Sequence, residues 1–116
     1  MSIAIYAALT AIGAFIYMVA CWIMYLTVMN MKANKDKVES QFVYWLGRAL
    51  FGLALAMNMV LNLLVYTILY VDLPRELLAT DRMDRYKKKG KGWRCTMATW
   101  KCTNLLNPFD PKGEHC

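Results

Sequence analysis

Three thiols and the chain's only imidazole stand close to its end: Cys95, Cys102, His115 and Cys116. Together they make the ligand set of a structural zinc site, in which thiolate sulfurs and a neutral imidazole nitrogen complete a tetrahedron. Their spacing works against that reading. Six residues separate Cys95 from Cys102, where paired zinc ligands usually stand two to four apart, and His115 directly abuts Cys116. A disulfide between Cys95 and Cys102 is excluded if both lie on one helix, because seven residues of rise set their Cα atoms ~10.5 Å apart against a limit of ~7 Å. The expectation is free thiols, kept reduced in a cytoplasmic setting, with zinc as the alternative and no other cofactor. Catalysis finds no footing in the pattern. His115 is the last residue but one, with no orienting acid evident, and the chain has neither a Gly-rich phosphate loop nor a nucleophile elbow. A non-enzymatic protein is expected.

The elements that must position these residues are dominated by two apolar runs. Residues 3 to 29, "IAIYAALTAIGAFIYMVACWIMYLTVM", carry no charge, and neither do residues 49 to 71, "ALFGLALAMNMVLNLLVYTILYV". As helices they reach about 40 Å and 35 Å, against ~30 Å of hydrocarbon in a bilayer. A soluble helix pair would show a polar stripe on each member. A cleaved signal would carry Lys or Arg ahead of a shorter apolar stretch. "MVAC" at Met18–Cys21 has the look of a lipoprotein cleavage box, but eight more apolar residues follow it. The reading is an all-α membrane protein: a helical hairpin of two transmembrane helices, 1–29 and 49–72, joined by a connector and interfacial approach at 30–48. A basic tail, 73–116, carries one further short helix.

Orientation follows the basic residues near span ends. The connector offers Lys32, Lys35 and Lys37, whereas the tail offers Arg75, Arg82, Arg85, Lys87, Lys88, Lys89, Lys91 and Arg94. Two spans put both termini on one side, so both are expected in the cytoplasm of a bacterial inner membrane. Tyr44 and Trp45 suit the aromatic belt as interfacial anchors, with Arg48 reaching the headgroups. In an antiparallel hairpin Trp22 and Tyr25 share that level, and Tyr6 shares the opposite one with Tyr66 and Tyr70.

Inside the second span Asn58 and Asn62 lie at i and i+4, on one helical face. A side-chain amide in hydrocarbon must be paired, so that face should meet another helix, either through Thr10 or through the same asparagines of a second copy. Gly52 and Ala56 make a small-xxx-small step that permits close backbone approach. No Asp, Glu, Lys, Arg or His lies deep in either span, which argues against a transporter with a charge-carrying site.

The tail from 82 to 94 holds Arg82, Arg85, Lys87, Lys88, Lys89, Lys91 and Arg94 against the single acid Asp84. Next to a membrane these seven form a patch for anionic lipid headgroups, at roughly 1 kcal/mol per basic residue close to the surface. Nucleic acid would use the same charges but is the weaker partner, since no recognised fold accompanies them. "WRCTMATWKCTNLL", residues 93 to 106, reads as a short helix with Trp93, Met97 and Trp100 on one face and Cys95, Ala98, Cys102, Leu105 and Leu106 nearly opposite. Two placements remain open: a helix lying in the interface with Trp93 and Trp100 at headgroup depth, or one docked on a partner by its second face. "NPFDPKG" then stops the helix.

The layout of short uncharged N-terminus, tight connector and basic tail resembles that of two-span phage holins. The tail "GWRCTMATWKCTNLLNPFDPKGEHC" looks like that of small membrane proteins of enterobacterial phages. The likeness to holins implies an oligomer that accumulates and permeabilises the inner membrane. The tail's tryptophans and cysteines depart from that pattern. They favour an adaptor or regulator acting through its tail on a homo-oligomer or a membrane-protein partner, with superinfection exclusion as one such role.

Overall fold

A computed structural model describes residues 2–116. Helix α1 (Ile3–Ala33) starts where the Ser2 hydroxyl accepts from the Ile5 N–H, and ends four residues beyond the uncharged run, with Lys32 in its last turn. Helix α2 (Gln41–Leu69) is capped by Ser40, which accepts from the Val43 N–H. It widens into a π-helical turn at Leu61–Val65. The connector is accordingly only the stretch between Ala33 and Gln41, with a 3₁₀ turn at Lys35–Lys37. Both helices are long and apolar enough to cross a membrane. Among the described residues there is no strand.

The hairpin closes by contacts that the spacing of small residues did not reveal. The methyl of Met31 occupies the place where a Cβ on Gly47 would stand, so that glycine admits the neighbouring helix. By contrast Gly52 has nothing near it, and Ala56 and Thr10 are exposed. Within the chain the Gly52–Ala56 step therefore packs against no other helix, and the expectation of Thr10 as the asparagines' partner is corrected. The Tyr17 hydroxyl donates to the Met57 carbonyl at 2.8 Å, tying α1 to α2 ahead of the π-helical turn.

The tail is not a free appendage. After Leu69 the chain reverses at Val71, whose φ of 50° is the left-handed region that a β-branched residue enters only at a cost of order 1–3 kcal/mol. Arg94 holds this corner, donating from Nε to the Tyr70 carbonyl at 2.7 Å and from Nη2 to that of Val71 at 3.2 Å. Residues 72–78 then run back along α2. Helix α3 (Ala79–Lys89) follows, ended by Gly90 in the left-handed conformation, and then helix α4 (Trp93–Lys101). A π-helical turn at Cys102–Leu106 and a 3₁₀ turn at Asn107–Phe109 extend α4. The Pro108–Pro111 stretch reaches Leu26–Ala33 near the end of α1. Finally the chain turns back, and the main-chain oxygen of Cys116 accepts from Lys87 Nζ at 2.6 Å.

Asn58 and Asn62 explain this return. Asn58 Oδ1 accepts the Ala79 N–H at 2.6 Å, and Asn62 Nδ2 donates to the Glu76 carbonyl. The two amides therefore pair with the chain's own tail, rather than with α1 or a second copy as the sequence reading expects. The Ala79 N–H is among those that a helix start leaves without an intrahelical partner, so Asn58 caps α3 from a distance. Tyr66, Tyr70, Met83, Tyr86, Ala98 and Cys102 close over the junction as a buried core. Replacing Asn58 by Ala should leave the Ala79 N–H unpaired and weaken tail docking by about 1–3 kcal/mol. Limited trypsin digestion should then cut after Arg82 and Arg85 faster than in the parent chain; unchanged cleavage rates would contradict the anchoring role.

Candidate functional site

The chemistry-bearing side chains of the tail converge at its junction with α2. Arg85 sits between two carboxylates, with Nε 2.6 Å from Glu76 and Nη1 3.2 Å from Asp72. Tyr86 donates its hydroxyl to the same Asp72 at 2.8 Å and lays its ring within 4.9 Å of the Arg85 guanidinium. Arg82 is wholly buried. It donates to the Asp72 carbonyl at 3.4 Å and the Thr67 hydroxyl at 3.3 Å, while its Nε has no partner. Burial pushes the Asp72 carboxyl up, but hydrogen bonds from Tyr86 and Arg85, and the charges of Arg85 and Arg75, outweigh it and hold the group below its usual value.

These contacts correct the lipid-headgroup reading for four of its seven residues. Arg82, Arg85 and Arg94 are drawn into internal bonds, and Lys87 is tied to Cys116. These side chains are committed to acceptors within the chain, the half-buried carboxylates of Asp72 and Glu76 and main-chain carbonyls, through charge-assisted hydrogen bonds. Lys88, Lys89 and Lys91 stay exposed, with Lys88 3.0 Å from Asp84 on the surface of α3. The aromatic assignments divide in the same way. Tyr44 and Trp45 are exposed, each 5.9 Å from the Arg48 guanidinium, and Trp93 and Trp100 are also exposed. Tyr66 and Tyr70 are buried under the tail instead of facing headgroups, and Trp93 stacks on Tyr70 at 6.0 Å. Trp22 and Tyr25 donate to the carbonyls of Leu105 and Leu106. The second face of α4 thus docks on the chain's own hairpin.

The four zinc candidates do not assemble as ligands. Cys102 and Cys116 are joined in a disulfide with Cα atoms 5.8 Å apart, so the structure describes that pair in its oxidised form rather than as the free thiols expected. Cys95 keeps its thiol and points at the Lys87 carbonyl, 3.9 Å away. Among the described residues no group of three or more His, Cys, Asp or Glu side chains comes together in a way that could hold a metal ion.

His115 also differs from the reading of an unoriented terminal residue. Its Nδ1 lies 3.1 Å from Asp110 Oδ2 and its Nε2 3.3 Å from the Thr80 hydroxyl, while its ring packs on Tyr25 at 4.6 Å. Asn107 accepts from the main-chain N–H groups of both His115 and Cys116. Carboxylate, imidazole and hydroxyl in this order can pass a proton as a general base does. Thr80 is the weak member, since its hydroxyl is a secondary alcohol hindered by a methyl group. Burial raises the Asp110 carboxyl, but the Lys112 N–H and His115 more than compensate and hold it low.

No signal in the linear sequence announced the Asp72–Glu76–Arg85 cluster or the Asp110–His115–Thr80 line. Their bonded partners lie 5 to 35 positions apart, in segments that read as loop or solvated helix. Both Asp72 and Asp110 have folded values below their unfolded ones, so the stability they lend is present above pH ~4 and is lost as pH falls through the depressed values. Tail protection against an acid-active protease should therefore hold down to about pH 4 and decline progressively below it as the two carboxylates take up protons. Asp72→Asn should weaken protection even at neutral pH, and an unaltered digestion profile for that variant would contradict the assignment. No protein family, curated protein or solved structure matches the chain.

Proposed function

We propose that this is a non-enzymatic integral membrane protein that acts as an adaptor or regulator, presenting its folded tail to a membrane-protein partner or to a second copy of itself. The observation that carries this reading is the one-sidedness of the hairpin. Helix α3 begins beside Asn58, well inside the second apolar helix, yet Asp81 is exposed and Asp84 pairs only with Lys88 on the outer surface. Hydrocarbon cannot solvate those charges. On its other flanks the hairpin exposes Ile12, Ile16, Ile23, Leu53, Leu64 and Ile68, which suit lipid. The tail-bearing side therefore needs polar cover, and a partner protein or a second copy supplies it.

The pore reading, which the likeness in layout to two-span holins suggests, loses support at the same place. Asn58 and Asn62 are the polar groups within the spans that an oligomeric pore would line up, and both are engaged by the tail. The Asp110–His115–Thr80 line gives an enzyme reading little to stand on, given the hindered Thr80 hydroxyl.

For orientation two features pull in opposite directions. The basic residues from Arg75 to Arg94 place the tail in the cytoplasm, whereas a Cys102–Cys116 bond persists only in an oxidising compartment. We side with the basic residues, because insertion reads them on the nascent chain before the tail folds. The inner membrane of a bacterium, with both termini inside, is the resulting proposal; the closed disulfide is then the oxidised form of a pair that the cytoplasm keeps as thiols.

Two measurements test these statements. Induced expression of the full chain in bacteria should leave membrane potential intact, while abrupt collapse that survives deletion of residues 95–116 would establish a pore. In intact cells Cys102 and Cys116 should react with a membrane-permeant alkylating reagent. A pair that resists alkylation until reductant is added would put the tail on the oxidising side.

A further inference from the structure

Between the hairpin and the docked tail lies a cavity of about 390 Å³, within the size range of sites that take small organic ligands. Its wall runs from Lys101 and Tyr66, near the end of α2, to Phe51 and Met29, toward the connector. The lining is almost wholly apolar, and most of its polar atoms are already engaged. Trp22 and Tyr25 donate to tail carbonyls, Asn58 accepts from Ala79, and Thr80 is paired with His115. The Tyr66 hydroxyl makes no hydrogen bond, and Lys101 is the one charged group of the lining left without a partner. Its Nζ is closed off from solvent and has no hydrogen-bond partner, and it rests 4.2 Å from the centre of the Tyr66 ring and 5.0 Å from that of Tyr70. Aromatic faces offset part of the cost of a buried cation, but they provide no acceptor for its three N–H groups.

We propose that this cavity binds a single-chain anionic amphiphile, a long-chain fatty acid, with its carboxylate at Lys101 and its chain laid along α1 and α2 toward Phe51. Phe15, Val19, Phe51 and Leu55 line the cavity and are themselves exposed, so its mouth opens through the apolar flank of the hairpin. A ligand can enter there from hydrocarbon without crossing water. The long, flexible stem of Lys101 lets its ammonium swing from the tyrosine rings to a carboxylate, and that pairing supplies the acceptor the site lacks. A neutral chain would fill the trough and leave the cation uncompensated. A two-chain phospholipid would have to leave one chain outside. The inference is independent of the adaptor reading, since it concerns what the fold holds rather than what it contacts.

The test uses the full-length protein in neutral detergent with palmitate carrying a diazirine at its terminal carbon. Photolysis should label peptides containing Met29 or Phe51, with palmitate competing and methyl palmitate failing to compete. Lys101→Met should weaken labelling at least about tenfold, the loss expected for a charge-assisted bond, while Lys101→Arg retains it. Leu55→Trp, which fills the mouth, should abolish it. Equal competition by methyl palmitate, full labelling of Lys101→Met, or competition by phosphatidylglycerol alone would each overturn the proposal. Should Lys101→Met prove sensitive to trypsin and so misfolded, Leu55→Trp and the two competitors on the parent chain decide the matter by themselves.

Discussion

Two side-chain amides in an otherwise apolar helix set the terms for the whole molecule. An unpaired side-chain amide in a low-dielectric setting costs several kcal/mol on an alkane scale, roughly 4–8; Asn58 Oδ1 and Asn62 Nδ2 find partners, while the buried Asn62 Oδ1 has none. Their partners are main-chain groups at Ala79 and Glu76, which the chain can deliver only by reversing at Val71 and running back along α2. Once that return is made, Arg82 and Arg85 lie beside Asp72, Glu76 and Thr67, and Tyr66, Tyr70 and Tyr86 are covered. The tail's fold is thus a consequence of where the hairpin put its polar groups.

The arginines and lysines of the tail divide by this geometry rather than by their numbers. Those that find a carboxylate or an orphan carbonyl become structural, with Arg94 holding the strained corner and Arg85 bridging two acids. Those beyond reach, Lys88, Lys89 and Lys91, remain as surface charge on one end of the docked unit. Arg82 is the costly member: a buried guanidinium with neutral acceptors and an unpartnered Nε. Its burial makes sense only while the surrounding tyrosines and the Asp72 segment stay in place, which couples the tail's packing to the end of α2.

Much of the hairpin was legible in the sequence, because two long uncharged apolar runs separated by a short polar stretch read as a pair of long helices. The helices overshoot their uncharged cores at the connector, where Lys32 and Phe42 to Arg48 prove helical, since Ser40 and Asn34 rather than charge mark the ends. The alignment of Asn58 with Asn62 was also readable as a demand for a partner. What the demand selected was not, because main-chain acceptors and donors carry no signature in side-chain order. The same reason hid the docking of the α4 face bearing Cys102, Leu105 and Leu106, whose carbonyls serve Trp22 and Tyr25. For the cysteines, spacing ruled out only the Cys95–Cys102 pair. The Cys102–Cys116 pairing needed the turn at Pro108–Gly113, which brings residues 14 apart to within 5.8 Å.

The tail is a folded layer on the hairpin and not a solvated basic extension. Hydrogen exchange of the full chain in lipid nanodiscs tests this directly, since main-chain amides exchange slowly only where they are bonded and enclosed. Amides of Ala79–Lys89 and Trp93–Lys101 should exchange with protection approaching that of α2. Exchange of those two segments at the rate of an unstructured peptide, with α2 still protected, would contradict a folded tail.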